Sequence, residues 1–190
     1  LGDSPNLLLQ KTPADKFTVT AKVRFIPNPQ LKKKGESCGL VLMGQDYATV
    51  RLTDTAEGVV LQYIECKDAL KHTEEQVLKT ILMESAPLPM PYSNKYMSTT
   101  VPPVAPLAYA ATDVFIKMEV KPRERKGNVP DLTAKFFYSL DGKKWTELTE
   151  KPFVGKPGKW IGAKFGLYCN RLASKNDSGW VQVDWIKVSE

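Results

Sequence analysis

Histidine is almost absent from this chain: His72 is the only one. Ser-His-Asp and Cys-His sites need an imidazole as their positioned base. His72 lies in a polar stretch with no Ser or Cys motif around it, so it reads as a solvated histidine. The same count excludes metal catalysis on imidazole clusters. Cysteine is scarce too, with Cys38, Cys66 and Cys169 only. They are too few and too scattered for a disulfide framework, and no two share a zinc-like spacing. Each sits among apolar residues, where a thiol behaves as a small core hydrophobe. No apolar run approaches the roughly 20 residues of a membrane span, and no basic segment followed by an apolar one opens the chain. We therefore expect no membrane crossing and no export signal within the sequence. There is no glycine-rich phosphate loop either, since Gly155-Lys156-Pro157-Gly158 has a proline where a backbone donor would be wanted.

What is present describes a folded domain. The chain has 190 residues, of which 42% are hydrophobic and 25% charged. A chain of this length buries roughly 70% of its unfolded surface and needs neither metal nor disulfides to fold. Its first residue is Leu1 rather than Met, so we expect a segment excised from a longer polypeptide. The net charge of +6 comes from the last third, where residues 121–190 carry 14 basic and 8 acidic side chains. Those lysines alternate with apolar residues or flank turns, as protected strand edges do. The tight clusters, Lys32-Lys33-Lys34 and Arg123 to Lys126, fall in apparent loops and not on one aromatic-rich element. Nucleic acid is therefore not an expected partner.

Period-two alternation dominates. In Phe17 to Phe25, the residues Phe17, Val19, Ala21, Val23 and Phe25 share one face while Thr18, Thr20, Lys22 and Arg24 share the other, as in a half-buried strand. Similar runs at Cys38–Met43, Tyr47–Leu52, Val59–Glu65, Val114–Val120, Ala134–Leu140, Lys164–Cys169 and Trp180–Val188 are mostly separated by Gly, Pro, Asn or Asp. Many short strands with such turns imply an all-β sandwich or barrel. Leu140-Asp141-Gly142-Lys143 predicts a type I′ hairpin joining Phe136–Leu140 to Lys144–Leu148. Gly44-Gln45-Asp46 predicts another between Cys38–Met43 and Tyr47–Leu52. Val77, Leu78, Ile81 and Leu82 have helical spacing, so Lys71 to Met83 reads as a short helix or equally as a strand pair. From Ala86 to Pro106 the prolines deplete backbone donors, which predicts a surface loop within one domain spanning 1–190.

Glycoside hydrolysis needs only two carboxyl groups held about 5–10 Å apart, so composition does not exclude it. The nearest candidate, Glu65-Cys66-Lys67-Asp68, has an odd spacing that sends its acids to opposite faces of a continued strand. No catalytic residue is assigned. The remaining chemistry is aromatic. Trp145, Trp160, Trp180 and Trp185, with the tyrosines, either fill a sandwich core or stack on sugar rings. Core filling is the default for each except Trp160, which follows Gly155 to Lys159 in a loop entering a strand. Exposed aromatics such as Tyr47, Tyr63 or Trp160 would hold a polysaccharide, with Arg51 hydrogen-bonding its hydroxyls.

Several blocks then occur in series: Asn6-Leu-Leu-Leu-Gln-Lys11, the strand from Phe17, Gly35-Glu-Ser-Cys-Gly-Leu40, Tyr138-Ser-Leu-Asp-Gly-Lys-Lys-Trp145, Gly162-Ala-Lys-Phe-Gly-Leu167 and Val183-Asp-Trp185. Together they resemble the C-terminal domain of family 43 glycoside hydrolases of the β-xylosidase and arabinofuranosidase group, over about 1–70 and 113–188. The resemblance implies a concanavalin A-like jelly-roll β-sandwich of two antiparallel sheets. Its partner would be a catalytic β-propeller of the same polypeptide, which carries the catalytic carboxylates, and its ligand an oligosaccharide of xylan or arabinan type. It further implies that Trp160, just before the Gly-Ala-x-x-Gly strand, reaches into the propeller's pocket and narrows it. No cofactor is required. Asp184 reads as a hydrogen-bonded strand carboxylate, or, as in some related sandwich modules, as a ligand to a structural calcium. The compartment stays open between cytoplasmic and extracytoplasmic. The segment from Lys71 to Thr112 matches no block.

Overall fold

The computed structural model describes residues 6–88, 109–123, 131–156, 158, 162–171 and 179–190. Among them the chain forms β1 (Asn6–Lys11), β2 (Phe17–Ile26), β3 (Ser37–Met43), β4 (Tyr47–Thr55), β5 (Gly58–Cys66), β6 (Gln76–Leu82), β7 (Ala86–Pro87), β8 (Ala110–Arg123), β9 (Asp131–Ser139), β10 (Thr146–Glu147), β11 (Phe153–Gly155), β12 (Lys164–Asn170) and β13 (Trp180–Ser189). One sheet runs β1-β12-β3-β4-β5-β6. The other runs β10-β9-β8-β2-β13, with β11 along β9 and β7 along β8. Every pairing is antiparallel, as the sandwich expectation requires.

The alternation in β2 explains its position. Phe17, Val19, Ala21, Val23 and Phe25 are buried while their neighbours Thr18, Thr20, Lys22 and Arg24 are half-exposed, so the strand shows one face to the core and one to water. The core lies between that face and the matching faces of β3, β4 and β5. Rings cross it at Phe17 to Phe165, 5.3 Å between centroids, and at Tyr63 to Phe136, 5.5 Å. Two glycines allow close strand approach. A Cβ at Gly39 would stand 2.2 Å from the Val50 carbonyl oxygen, and one at Gly166 would stand 1.9 Å from that of Leu8.

Three expectations change. The helix option over Lys71 to Met83 gives way to a short 3₁₀ turn, Ala69–Lys71, and the strand β6. This strand is exposed along most of its length, so it carries no burial period to separate helix from strand, and pairing with β5 decides. The Asp141-Gly142 hairpin forms, yet not as a two-residue type I′ turn. Its register pairs Tyr138 with Thr146, and only Gly142 has positive φ, 71°, where type I′ needs two such residues. Asp141 instead folds the loop by accepting from the backbone N–H groups of Lys143 and Lys144, each at 2.8 Å. In the proline-rich stretch, Ala86 and Pro87 pair with β8. Residues 89–108 lie outside the described residues. No helix among the described residues is long and apolar enough to cross a membrane.

Candidate functional site

The β3–β4 turn, Gly44-Gln45-Asp46, forms as expected, with Met43 paired to Tyr47. Its outstanding member is Asp46, a carboxylate only 2% exposed. Asp46 accepts from the Asp68 backbone N–H at 2.8 Å and from the Lys156 backbone N–H at 3.2 Å. The Gln45 N–H donates to the Lys156 carbonyl at 2.8 Å. Lys156 Nζ in turn donates to Asp68 Oδ1 at 3.1 Å, and this pair holds the Asp68 carboxyl below its ordinary range and the Lys156 ammonium above its own. Three loops are thus tied at one corner.

This corner lies four residues before Trp160 in the sequence. Two residues beyond Lys156, Gly158 and Gly162 form an isolated antiparallel bridge, with N–H to carbonyl distances of 3.0 and 3.2 Å. In the sequence three residues separate the bridge partners, and Trp160 is the middle one. Trp160 itself lies outside the described residues.

Tyr47, Arg51 and Tyr63 are not arranged as an exposed platform. Tyr47 and Tyr63 are 3% and 2% exposed, so neither ring presents a face for stacking on sugar. Tyr63 faces the core, and its hydroxyl donates to Glu65 at 2.6 Å. Tyr47 and Arg51 share the opposite, outer face of β4 and meet on one acid. The Tyr47 hydroxyl donates to Glu75 Oε1 at 2.6 Å, and Arg51 Nη1 donates to Glu75 Oε2 at 2.7 Å. Arg51 Nη2 reaches Gln62, which also accepts from Thr53. Burial alone would raise the Glu75 carboxyl, but the tyrosine hydrogen bond and the guanidinium together hold it below the ordinary glutamate value. Burial and the adjacent Glu75 push the Tyr47 phenol far up. Such a network can hold a surface rigid.

The carboxylates weighed for hydrolysis do not meet either. Glu65 ends in the Tyr63 hydrogen bond, and Asp68 sits in the left-handed region, φ 48°, tied to Lys156. His72 is exposed beside the same 3₁₀ turn. Asp184 stands at a bulge in β13, between Val183 and Trp185, and its carboxylate pairs with Lys22. A calcium ion takes six to eight oxygen ligands. The described residues gather no group of three acidic, histidine or cysteine ligands. Asp184 is thus one partner of an ion pair with Lys22.

Strand β13 shows what the sequence pattern concealed. Trp180 and Trp185 are five residues apart, an odd spacing that sends side chains to opposite faces. The extra residue at the bulge restores their phase. Their register partners on β2, Ile26 and Lys22, are an even four apart, so both indoles lie on one face, 38% and 42% exposed. On the other face of β13, Val183, Ile186 and Val188 line up with the core side of β2 yet also remain exposed. Among the described residues nothing buries these three side chains, although they stand on the core side of the sheet.

With this geometry in hand, the comparisons agree. Residues 2–189 match the family described as the β-xylosidase C-terminal concanavalin A-like domain. No curated protein matches the chain. A solved structure of a family 43 glycoside hydrolase, engineered in its active site to display both endo-xylanase and exo-arabinofuranosidase activity, aligns with TM-score 0.57 and 16% identity over 96% of this chain. This chain spans 30% of the length of that enzyme. The matched range takes in the stretch from Lys71 to Thr112 that resembled nothing. From fold and family match together, the chain belongs to the C-terminal concanavalin A-like domain family of β-xylosidases.

Proposed function

We propose that this chain is a non-catalytic accessory domain of a family 43-like glycoside hydrolase acting on xylan- or arabinan-type oligosaccharides. In this reading it packs on the catalytic propeller of the same polypeptide, and Trp160 narrows the substrate pocket. The observation that carries the reading is the anchoring at both ends of the Trp160 segment. Lys156 is tied to Asp46, Asp68 and Gln45, and Gly158 bridges Gly162. A side chain can trim a neighbouring pocket only if its loop is held to within about 1 Å, because small displacements cost large factors in rate. The test is kinetic, in the enzyme that contains this chain. Trp160→Ala is expected to change kcat/KM for short xylosides or arabinosides by about tenfold, the scale of one lost apolar contact. Asp46→Ala, which frees the loop without touching the pocket, is expected to reproduce part of that change. Unchanged kinetics in Trp160→Ala would remove the pocket role.

A second reading, a carbohydrate-binding module, draws support from the two exposed indoles on one face of β13. Four strand positions separate them, roughly 13 Å, so they could stack on two sugars of one chain. Titration of the isolated chain with xylo- and arabino-oligosaccharides, followed by tryptophan fluorescence, separates the readings. A saturable shift lost in Trp185→Ala would select the binding module, and a flat titration would select the accessory domain.

A further inference from the structure

The sequence scatters its cysteines, but the fold brings two of them opposite each other. Cys38 of β3 and Cys169 of β12 are direct register partners. Facing residues in an antiparallel ladder have Cα atoms about 4.5 or 5.5 Å apart, and both values fall within the roughly 4.4–6.8 Å that a disulfide spans. Both side chains point to the core side, where Cys38 is buried and Cys169 packs against it partly exposed. Cys66 lies apart, in a cluster on the outer face, with its thiol on the Thr73 carbonyl at 3.2 Å. The two facing cysteines also line a groove of about 350 Å³ between the sheets, walled by Leu8, Val23, Val181 and Val183.

We propose that Cys38 and Cys169 are a modification site, a cross-strand dithiol that accepts low-molecular-weight disulfides through this apolar groove and closes to an intrachain disulfide. Cys169, nearer solvent, gives up its proton, and its thiolate attacks one sulfur of R–S–S–R. The old S–S bond breaks, one thiolate RS⁻ leaves, and a mixed disulfide remains on Cys169. Cys38 then loses its proton, and its thiolate attacks the Cys169 sulfur and expels the second RS⁻. The two cysteines are oxidised by two electrons, the small disulfide is reduced to two thiols, and the two protons end on those products. Burial raises both thiols above their ordinary value, and a charge on Cys169 raises Cys38 further, so the pair rests as a dithiol and closes slowly.

The native chain incubated with dipyridyl disulfide tests this, with released pyridinethione read by absorbance and the product mapped as non-reduced peptides. Closure releases roughly two equivalents from the pair and yields a Cys38–Cys169 linked peptide, in the Cys66→Ala variant as in the unaltered chain. In Cys38→Ala the reaction is expected to stop at the mixed disulfide on Cys169. A lasting mixed disulfide on Cys169 in the unaltered chain, a linked peptide containing Cys66, or a bridge that forms only in denaturant would each overturn the proposal.

Discussion

Glu75 shows how much a single residue can organise. Its two oxygens take Tyr47 and Arg51, residues four apart on one strand face, and tie the segment before β6 to β4. Period-two alternation made the company of Tyr47 and Arg51 legible, since both fall on the outer side of β4. Their partner was not legible, because Glu75 lies in a stretch that read equally as a short helix or a strand pair. Neither was the burial of Tyr47, which depends on Val41, Cys66 and Tyr168 arriving from other strands. The network has a pH signature. The Glu75 carboxyl titrates lower in the folded chain than in the unfolded one, so its contribution is fully present above the unfolded value of 4.5 and is lost as pH falls through the folded value. Glu75→Gln is therefore expected to cost about 1–3 kcal/mol at pH 7, the range for a hydrogen-bonded charge in a partly buried site. In urea unfolding the gap between the two chains should narrow as pH falls below the unfolded carboxyl value. An equal gap at neutral and acid pH would show that Glu75 acts through packing instead of charge.

At the scale of the element, turns carry information that strand patterns lack. The Asp-Gly signal located the β9–β10 hairpin but named the wrong turn, because a dipeptide rule ignores what the aspartate side chain does. Asp141 accepts from the Lys144 and Lys143 backbone N–H groups and from the Ser139 hydroxyl, and these bonds hold its carboxyl down to about 2. An NMR titration should find its midpoint near 2 instead of the ordinary 3.8. Because the folded value is depressed, the turn is favoured above the ordinary carboxylate range and weakens as pH falls towards 2. Asp141→Ala should expose the Lys143 and Lys144 amides to fast hydrogen exchange, while Asp141→Asn, which keeps an acceptor oxygen, should protect them in part. Protection in both variants would place the stability of this turn in Gly142 and the flanking strands. The same limit explains β13. Its alternation was clear over Trp180 to Val188, but a bulge has no sequence marker here, so the phase of Trp185 against Trp180 came only from the register with β2.

For the whole molecule, the two-sheet architecture was legible because buried alternation repeats in strand after strand, and the serial motif blocks located the family. The relation of the domain to its surroundings was not, because exposure is a property of what fails to cover a strand. Val183 and Ile186 stand on the core side of β13 yet are 42% and 44% exposed, and Leu8 on the facing edge of the other sheet is more exposed still. A monomeric surface rarely gathers such apolar residues without a partner. The accessory-domain reading supplies one in the remainder of the polypeptide, and docking there would also cap the groove that leads to Cys38 and Cys169, so the exchange proposed for that pair is a reaction of the undocked chain. It follows that Val183→Lys with Ile186→Lys should shift the unfolding free energy of the isolated chain by only about 1 kcal/mol, since neither side chain is fully withdrawn from water. In the enzyme containing this chain the same pair would bury two ammonium groups without partners, and the cost should be several kcal/mol, seen as a lowered Tm or as separate unfolding of the two domains. A large loss in the isolated chain would assign these residues to the sandwich's own core. No loss in the enzyme would show that β13 faces water there, and the docking surface would have to lie on the face that carries Tyr47 and Arg51.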